Sequence, residues 1–406
     1  MTIDKTPHNL IDGNVTSPRG FLAAGIHAGI KKSKKDLALL TSDPVAQVAA
    51  TFTTNALAAA PVRVCRNQLP GGQARAIVVN SGNANACTGE QGLADAEEML
   101  RVTASALDAE ASEVFVCSTG LIGAALPMDV IRAGIATAAA ALHVDGGGAA
   151  AQAIITTDNG PKHIAATLEI DGKTVTVGGM AKGAGMIEPN MATMLAFLTT
   201  DAAVEVGALQ GCLSGVVEQT FNRITVDGSR STNDSVFLMA NGVAGNAPLS
   251  PAHDAWDDFV GTVFAVARDL AWKIVKDGEG ATKFVTVNIS GAGDDADAQK
   301  VARCIGNSIL VKTSWCGGDP NWGRLVDAVG YSGAAVKEER LSVRYDDEVV
   351  IENGKSDYSQ LKAWEAVLAQ DEFCVNIDLG IGTGSYTLYT CDCTEEYVRF
   401  NTAYSS

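Results

Sequence analysis

Long apolar runs are missing from this chain of 406 residues: none approaches the roughly 18 residues that would cross a membrane. Positive charge is also scarce. The 30 Lys and Arg stand against 47 Asp and Glu, a formal net charge of −17 that repels phosphate backbones and anionic lipid, so neither nucleic acid nor a membrane surface is an expected partner. The opening MTIDKTPHNLIDG has neither the apolar stretch of a signal peptide nor the arginines of a transit peptide, and a cytoplasmic protein is expected.

The usual chemical signatures are absent too. The five histidines, at 8, 27, 143, 163 and 253, show no H-E-x-x-H or other ligand spacing, and the nine cysteines are scattered and odd in number, which fits reduced thiols. Cys391 and Cys393 form a pair without a second pair or a nearby histidine, so no metal site is expected. There is no G-x-x-x-x-G-K-[ST] phosphate loop, no strict G-x-G-x-x-G after a strand and no G-x-S-x-G elbow; Gly380, Gly382 and Gly384 resemble a glycine loop only loosely. Nucleophilic catalysis therefore has to rest on another constellation.

What is present is a mixed α/β chain. Apolar residues make up 47% of it, with a mean hydropathy of +0.11, enough for two or three domains with well-buried cores. Strand-like runs at RAIVVN (75–80), EVFVCS (113–118), TVTVGG (174–179) and KFVTVNIS (283–290) are separated by Ala-rich helical segments such as 93–107 and 128–143. Such apolar strands predict sheets covered by helices. Composition shifts near Asp201 and across 277–283 predict domain edges, giving segments 1–202, 203–283 and 284–406. Polar, glycine-rich turns follow or approach the strands at 80–92, 118–123, 156–158, 227–235, 277–280 and 317–324, where sites are usually built.

One stretch changes character abruptly. In KGAGMIEPNMATMLAFLTTD (182–201) a glycine-rich loop carrying Lys182, Glu188 and Pro189 becomes an apolar run at the Ala192–Thr193 bond. A threonine hydroxyl can attack the carbonyl before it, shift the chain onto oxygen and let water release a new N-terminus. The product has a free α-amine, of ordinary pKa about 7.7 to 8.0, beside its own Oγ, so one residue supplies both nucleophile and base.

KGAGMIEPNMATML, with VVNSGNANACTGEQG, CSTGLIG, TVDGSRSTNDSVFLMANG, DGEGATKF and DPNWGRL, resembles the ornithine acetyltransferase family, also called glutamate N-acetyltransferase, from PRGF at 18–21 to the C-terminus. The resemblance implies an α/β fold of the N-terminal-nucleophile-like αββα kind with a smaller C-terminal α/β domain. It implies self-cleavage between Ala192 and Thr193 into chains 1–192 and 193–406, with Thr193 as nucleophile. Thr119 and Gly120 match the family's oxyanion hole, and Thr156, Lys182, Thr193, Glu279, Asn401 and Ser406 its substrate contacts. The expected reaction moves an acetyl group from N2-acetylornithine to glutamate through an acetyl-threonine, without metal or organic cofactor, in an α2β2 assembly.

Several positions depart from the family pattern: Glu188 before Pro189, Ser406 at the end, and Tyr389 and Cys393 where tryptophan and leucine are usual. Acetyl-CoA as a second donor, as in bifunctional members, stays open at this point. So do a self-cleaving hydrolase like the L-aminopeptidase/D-esterase family, a paralogue with another acyl acceptor, and a binding protein whose chain stays intact.

Overall fold

The computed structural model describes residues 9–188 and 194–403. The expected Ala192, Thr193 and Ser406 roles fall outside those residues. The chain divides into two compact units, the first made of described residues 9–222 and 229–274 and the second of 223–228 and 275–403.

The first unit contains β1 (Asn9–Ile11), β2 (Phe21–Ile26), β3 (Leu37–Phe52), α1 (Ala60–Gln68), β4 (Gln73–Asn83), α2 (Gly89–Leu107), β5 (Val114–Leu121), α3 (Met128–Ala140), α4 (Gly147–Ile154), β6 (Lys162–Ile170), β7 (Lys173–Lys182), β8 (Leu195–Thr200), α5 (Ala208–Gln219), β9 (Ser235–Ala240) and most of α6 (Trp256–Lys276). Its strands form one sheet in the order β1-β6-β7-β8-β9-β3-β4-β5, with β2 also on β3. The long β3 makes this possible: one of its edges takes β4, while the other is shared by β2 along Leu37–Ser42 and by β9 along Gln47–Phe52. The register breaks between Thr41 and Ala46.

The sheet then folds back on itself. Strands β5 and β9 are separated by β3 and β4, three spacings or about 14 Å in a flat sheet. Yet Phe115 of β5 and Phe237 of β9 have ring centroids 5.5 Å apart. One core joins β3, β4 and β5 to β7, β8 and β9, so two sheet layers face each other. Helices cover the outside: α4 lies so close on β2 that a Cβ on Gly25 would stand 1.9 Å from the Ala149 carbonyl oxygen, and Leu270 and Val266 of α6 pack over Gly179 of β7. This is the layered αββα arrangement expected. Because β8 (LAFLTT) and β9 (SVFLMA) are covered on both faces, every residue of both is buried and neither alternates. That explains the apolar run after residue 193.

The second unit adds β10 (Phe284–Ala292), α7 (Asp295–Asn307), α8 (Ile309–Cys316), α9 (Trp322–Gly330), β11 (Ser342–Tyr345), β12 (Glu348–Glu352), β13 (Lys355–Ser356), α10 (Leu361–Leu368), β14 (Glu372–Asp378), β15 (Gly384–Cys391) and α11 (Glu395–Ala403). Its sheet runs β13-β12-β11-β14-β10-β15, over a core containing Trp315, Tyr345 and Trp364.

The units differ from the three segments expected from composition. The stretch 203–283 is not a separate body: β9 inserts between β8 and β3, and α5 packs on β3 and β9, so both belong to the first unit. A composition shift at Asp201 marks only the end of β8.

Candidate active site

Strand β5 ends in Ser118-Thr119-Gly120-Leu121 and runs parallel to β4, pairing Ser81 with Thr119 and Gly82 with Gly120. Gly120 has φ +133°, and a Cβ there would stand 2.3 Å from the Gly82 carbonyl carbon and 2.6 Å from the Asn83 nitrogen, so the position requires glycine. This kink carries Thr119, which is buried at 5% exposure. The segment before it is fixed by side-chain amides: the Ser118 hydroxyl donates to Asn80 Oδ1 at 2.6 Å, and Asn233 Nδ2 donates to the Ser118 carbonyl at 2.9 Å and to that of Ala84 at 2.6 Å.

Lys182 is the last residue of β7 and pairs in register with Leu195 of β8. The residue is 3% exposed, and its ammonium donates to Thr119 Oγ1 at 3.3 Å. Accepting that bond leaves the threonine's own hydrogen to give. Beyond β7 the Gly183 amide donates to Asp158 Oδ1 at 2.7 Å, and Lys162 Nζ donates to the same oxygen at 2.6 Å. The other oxygen of Asp158 accepts the Thr156 amide at 3.0 Å. One buried carboxylate thus ties the 156–158 turn to the loop after Lys182. Burial alone would raise its pKa, but Lys182, Lys162 and the Gly183 amide outweigh this and hold it at about 2.

Lys31 is a further cation near this group. Its Nζ donates to the Ile155 carbonyl at 2.9 Å, and burial lowers its pKa to about 8, with Asp36 opposing and Lys34 and Lys182 adding to the fall. Asp36 in turn accepts the amides of Ala28, Gly29 and Lys31 at 2.6, 3.1 and 2.8 Å, which fixes the loop.

On the far side of the expected cleavage point, Met194 is gripped at both ends. Its amide donates to Asp234 Oδ1 at 2.8 Å and its carbonyl accepts the Ser235 amide at 3.3 Å.

The second unit brings two more of the expected residues together. Asn401 Nδ2 of α11 donates to Glu279 Oε2 at 2.9 Å and to the Tyr397 carbonyl at 3.0 Å. The Glu279 turn is pinned, since Thr394 Oγ1 donates to the Gly280 carbonyl at 2.7 Å and Thr282 donates to Asp392 through its amide at 2.8 Å and its hydroxyl at 2.6 Å. Of the departures from the family pattern, Tyr389 keeps an aromatic contact, stacked on Phe284 at 6.0 Å, and Glu188 is buried at 8% exposure.

The structure therefore gathers Thr119 with Lys182, and Thr156 with Lys182 through Asp158, in the first unit, and Glu279 with Asn401 in the second. Sequence reasoning missed Asp158, Asn233, Asp234 and Lys31. The first three lay inside turns that it marked as site-like, TTD and DGSRSTNDS. Lys31, in IKKSKKD, had no signal beyond charge.

A profile of the ArgJ family matches residues 22–406. The arginine biosynthesis bifunctional protein ArgJ of Symbiobacterium thermophilum is 48% identical over 97% of this chain and 98% of its own length. That of Halalkalibacterium halodurans is 45% identical over 97% of this chain and 96% of its own. The crystal structure of ArgJ from Bacillus halodurans, 42% identical, covers 51% of this chain and 98% of its own with a TM-score of 0.50. A family match over residues 22–406, with 48% and 45% identity to two relatives over 97% of the chain, makes the chain a member of the ArgJ family.

Proposed function

We propose that the chain is a glutamate N-acetyltransferase of arginine biosynthesis, acting through an acetyl ester on Thr193. In processing, Thr193 Oγ attacks the Ala192 carbonyl carbon; the C–O bond forms, the C–N bond breaks and the nitrogen takes up the hydroxyl proton. Water then hydrolyses the ester, leaving an Ala192 carboxylate and a Thr193 with free amine and hydroxyl. In turnover the amine accepts the Oγ proton while Oγ attacks the acetyl carbonyl of N2-acetylornithine. The tetrahedral oxyanion is met by the Thr119 hydroxyl and the Gly120 amide, and ornithine leaves with the proton. Glutamate enters, its amine takes the acetyl group, and N-acetylglutamate departs.

The observation that carries this reading is the Lys182–Thr119 hydrogen bond of 3.3 Å. It supplies a hydroxyl free to donate, backed by a buried cation, at the end of a strand where an oxyanion can be held. Lys182, Thr156 and Asn401 suit a substrate carboxylate, and Glu279 suits the cationic ornithine amine. Ser406 closes the substrate contacts in the same reading. Every step is proton and acyl transfer, so neither metal nor organic cofactor is assigned. Use of acetyl-CoA as a second donor is supported by relatives named as bifunctional. The two chains are assigned to an α2β2 assembly in the cytoplasm.

Two measurements test the reading. A denaturing gel with intact-mass analysis should show fragments 1–192 and 193–406. Initial rates with N2-acetylornithine and glutamate should give parallel reciprocal lines, and intersecting lines, the mark of a ternary complex, would sink the shared ester.

A further inference from the structure

Lys31 lies across the paired glycines of β4 and β5. A Cβ on Gly82, whose φ is +102°, would stand 2.9 Å from Lys31 Cγ and 3.7 Å from its Cδ, so the stem of this side chain rests against the residue that pairs with Gly120. The ammonium then reaches the Ile155 carbonyl at 2.9 Å, on the residue before Thr156. One side chain thus spans from the strand pair that carries Thr119 to the turn that Asp158 ties to the loop after Lys182.

The carboxylates near it are already committed. Asp36 holds the amides of Ala28, Gly29 and Lys31 and pairs with His27 at 3.3 Å, while Asp158 holds the amides of Thr156 and Gly183 and pairs with Lys162 at 2.6 Å. Among the described residues neither forms an ion pair with the Lys31 ammonium. Lys31, Lys34, Lys162 and Lys182 therefore gather around two carboxylates, an excess of cation in a chain whose formal net charge is −17. Such an excess suits an anion. Which anion follows from the sharing of one pocket. Donor and acceptor differ in charge at the side-chain end, an amine in ornithine and a carboxylate in glutamate, and a fixed cation there would repel one of them. Each has an α-carboxylate on the carbon that bears the reacting nitrogen.

We propose that Lys31 is a substrate-binding residue that, with Lys182, brackets the α-carboxylate common to donor and acceptor. This rests on the reaction given above. Burial lowers the free ammonium's pKa to about 8, with Asp36 and Asp158 opposing and Lys34 and Lys182 adding to the fall. The charged form holds the carboxylate, so affinity is full below that pH and is lost as the pH rises through it.

The test uses full-length enzyme, Lys31→Met and Lys31→Arg, and isothermal titration with ornithine, glutamate and ornithinamide, the last of which has no α-carboxylate. None of the three needs turnover to bind. At pH 7 Lys31→Met should weaken ornithine and glutamate alike by roughly tenfold, the worth of one charge-assisted bond, and ornithinamide by less than about twofold. Lys31→Arg should restore most of the loss. It also stays charged, so its affinity should hold where that of the unsubstituted enzyme falls above about pH 8, and comparing the two with one ligand cancels the ligand's own titration. A loss as large for ornithinamide overturns the proposal, since it marks a lysine that only supports the fold. A loss confined to glutamate overturns it too, by placing the cation at the side-chain end. Should Lys31→Met not fold, Lys31→Gln is measured in its place. The expected pattern in an enzyme that transfers no acetyl group would uphold the carboxylate site and remove the assigned reaction instead.

Discussion

Lys182 and Thr119 stand 3.3 Å apart, although β8, β9, β3 and β4 separate their strands in the sheet order. The contact exists because the sheet folds back and brings the ends of β5 and β7 together. Removing the hydroxyl with Thr119→Ala should therefore lower kcat about 10²- to 10³-fold with both acetyl donor and acceptor, because both half-reactions pass through an oxyanion. Thr119→Ser, which keeps the donor, should restore most of the rate. Lys182→Met should cost about 2 kcal/mol in kcat/KM, the worth of a charge-assisted bond to a substrate carboxylate. Steady-state kinetics with each substrate varied separately decides these outcomes.

Gly120→Ala attacks the kink directly. With φ at +133° and a Cβ 2.3 Å from the Gly82 carbonyl carbon, the main chain of β4 or β5 must shift. The expected loss is at least about 2 kcal/mol of stability, read as a fall of several degrees in Tm, together with a drop in kcat. An alanine variant with unchanged Tm and rate would show that the two strands have room the geometry denies.

At Glu279 the charge is the question. If the carboxylate pairs with the ornithine side-chain amine, Glu279→Gln should raise KM for N2-acetylornithine by roughly tenfold and leave that for glutamate nearly unchanged. The amide can still accept from Asn401, so the turn should survive. Equal losses for both substrates would mean that the residue holds a group the two share.

Asp158 predicts an acid limit to stability. Its carboxyl is held at about 2, against 3.8 for an isolated one. A depressed folded pKa stabilises above the unfolded value and ceases to do so as the pH falls through the folded one. About 2 kcal/mol should therefore be present above pH 4 and lost progressively toward pH 2. Asp158→Asn removes this dependence and leaves Lys162 buried opposite a neutral amide, which should cost about 3 kcal/mol at pH 7. Urea titrations at a series of pH values test both statements: curves for Asp158→Asn and the unsubstituted enzyme should converge in acid.

The sequence was most informative where local pattern and packing agree. Runs such as RAIVVN and EVFVCS became β4 and β5 because apolar strands covered on both faces leave no ambiguity. Segment boundaries were less legible, since nothing in the composition near Asp201 says that β9 will insert beside β8. At the site, hydroxyls and charges in motif-like turns stood out, while the supports did not. Asp158 and Asp234 act through oxygens that meet amides 25 and 40 residues away, Gly183 and Met194, and a contact of that separation has no periodicity to read. Lys31 is the extreme case, a lysine among lysines whose side-chain partner, the Ile155 carbonyl, is supplied only by the fold.

The register of β8 has a consequence for how the protein comes apart. Its six residues, Leu195–Thr200, are laddered to Val177–Lys182 of β7 on one edge and to Ser235–Ala240 of β9 on the other. A break between residues 192 and 193 leaves that strand stitched between two polypeptides that share a single sheet. No native contact need be lost, but unfolding now yields two diffusing chains instead of one, so the return reaction becomes second order. The cut molecule should persist through a slow unzipping rate more than through equilibrium, and once denatured it should recover in proportion to its concentration, whereas an uncut chain should recover independently of dilution. Processing would then work as a ratchet: folding comes first and joins the halves, and the memory of having been one chain survives only in the sheet.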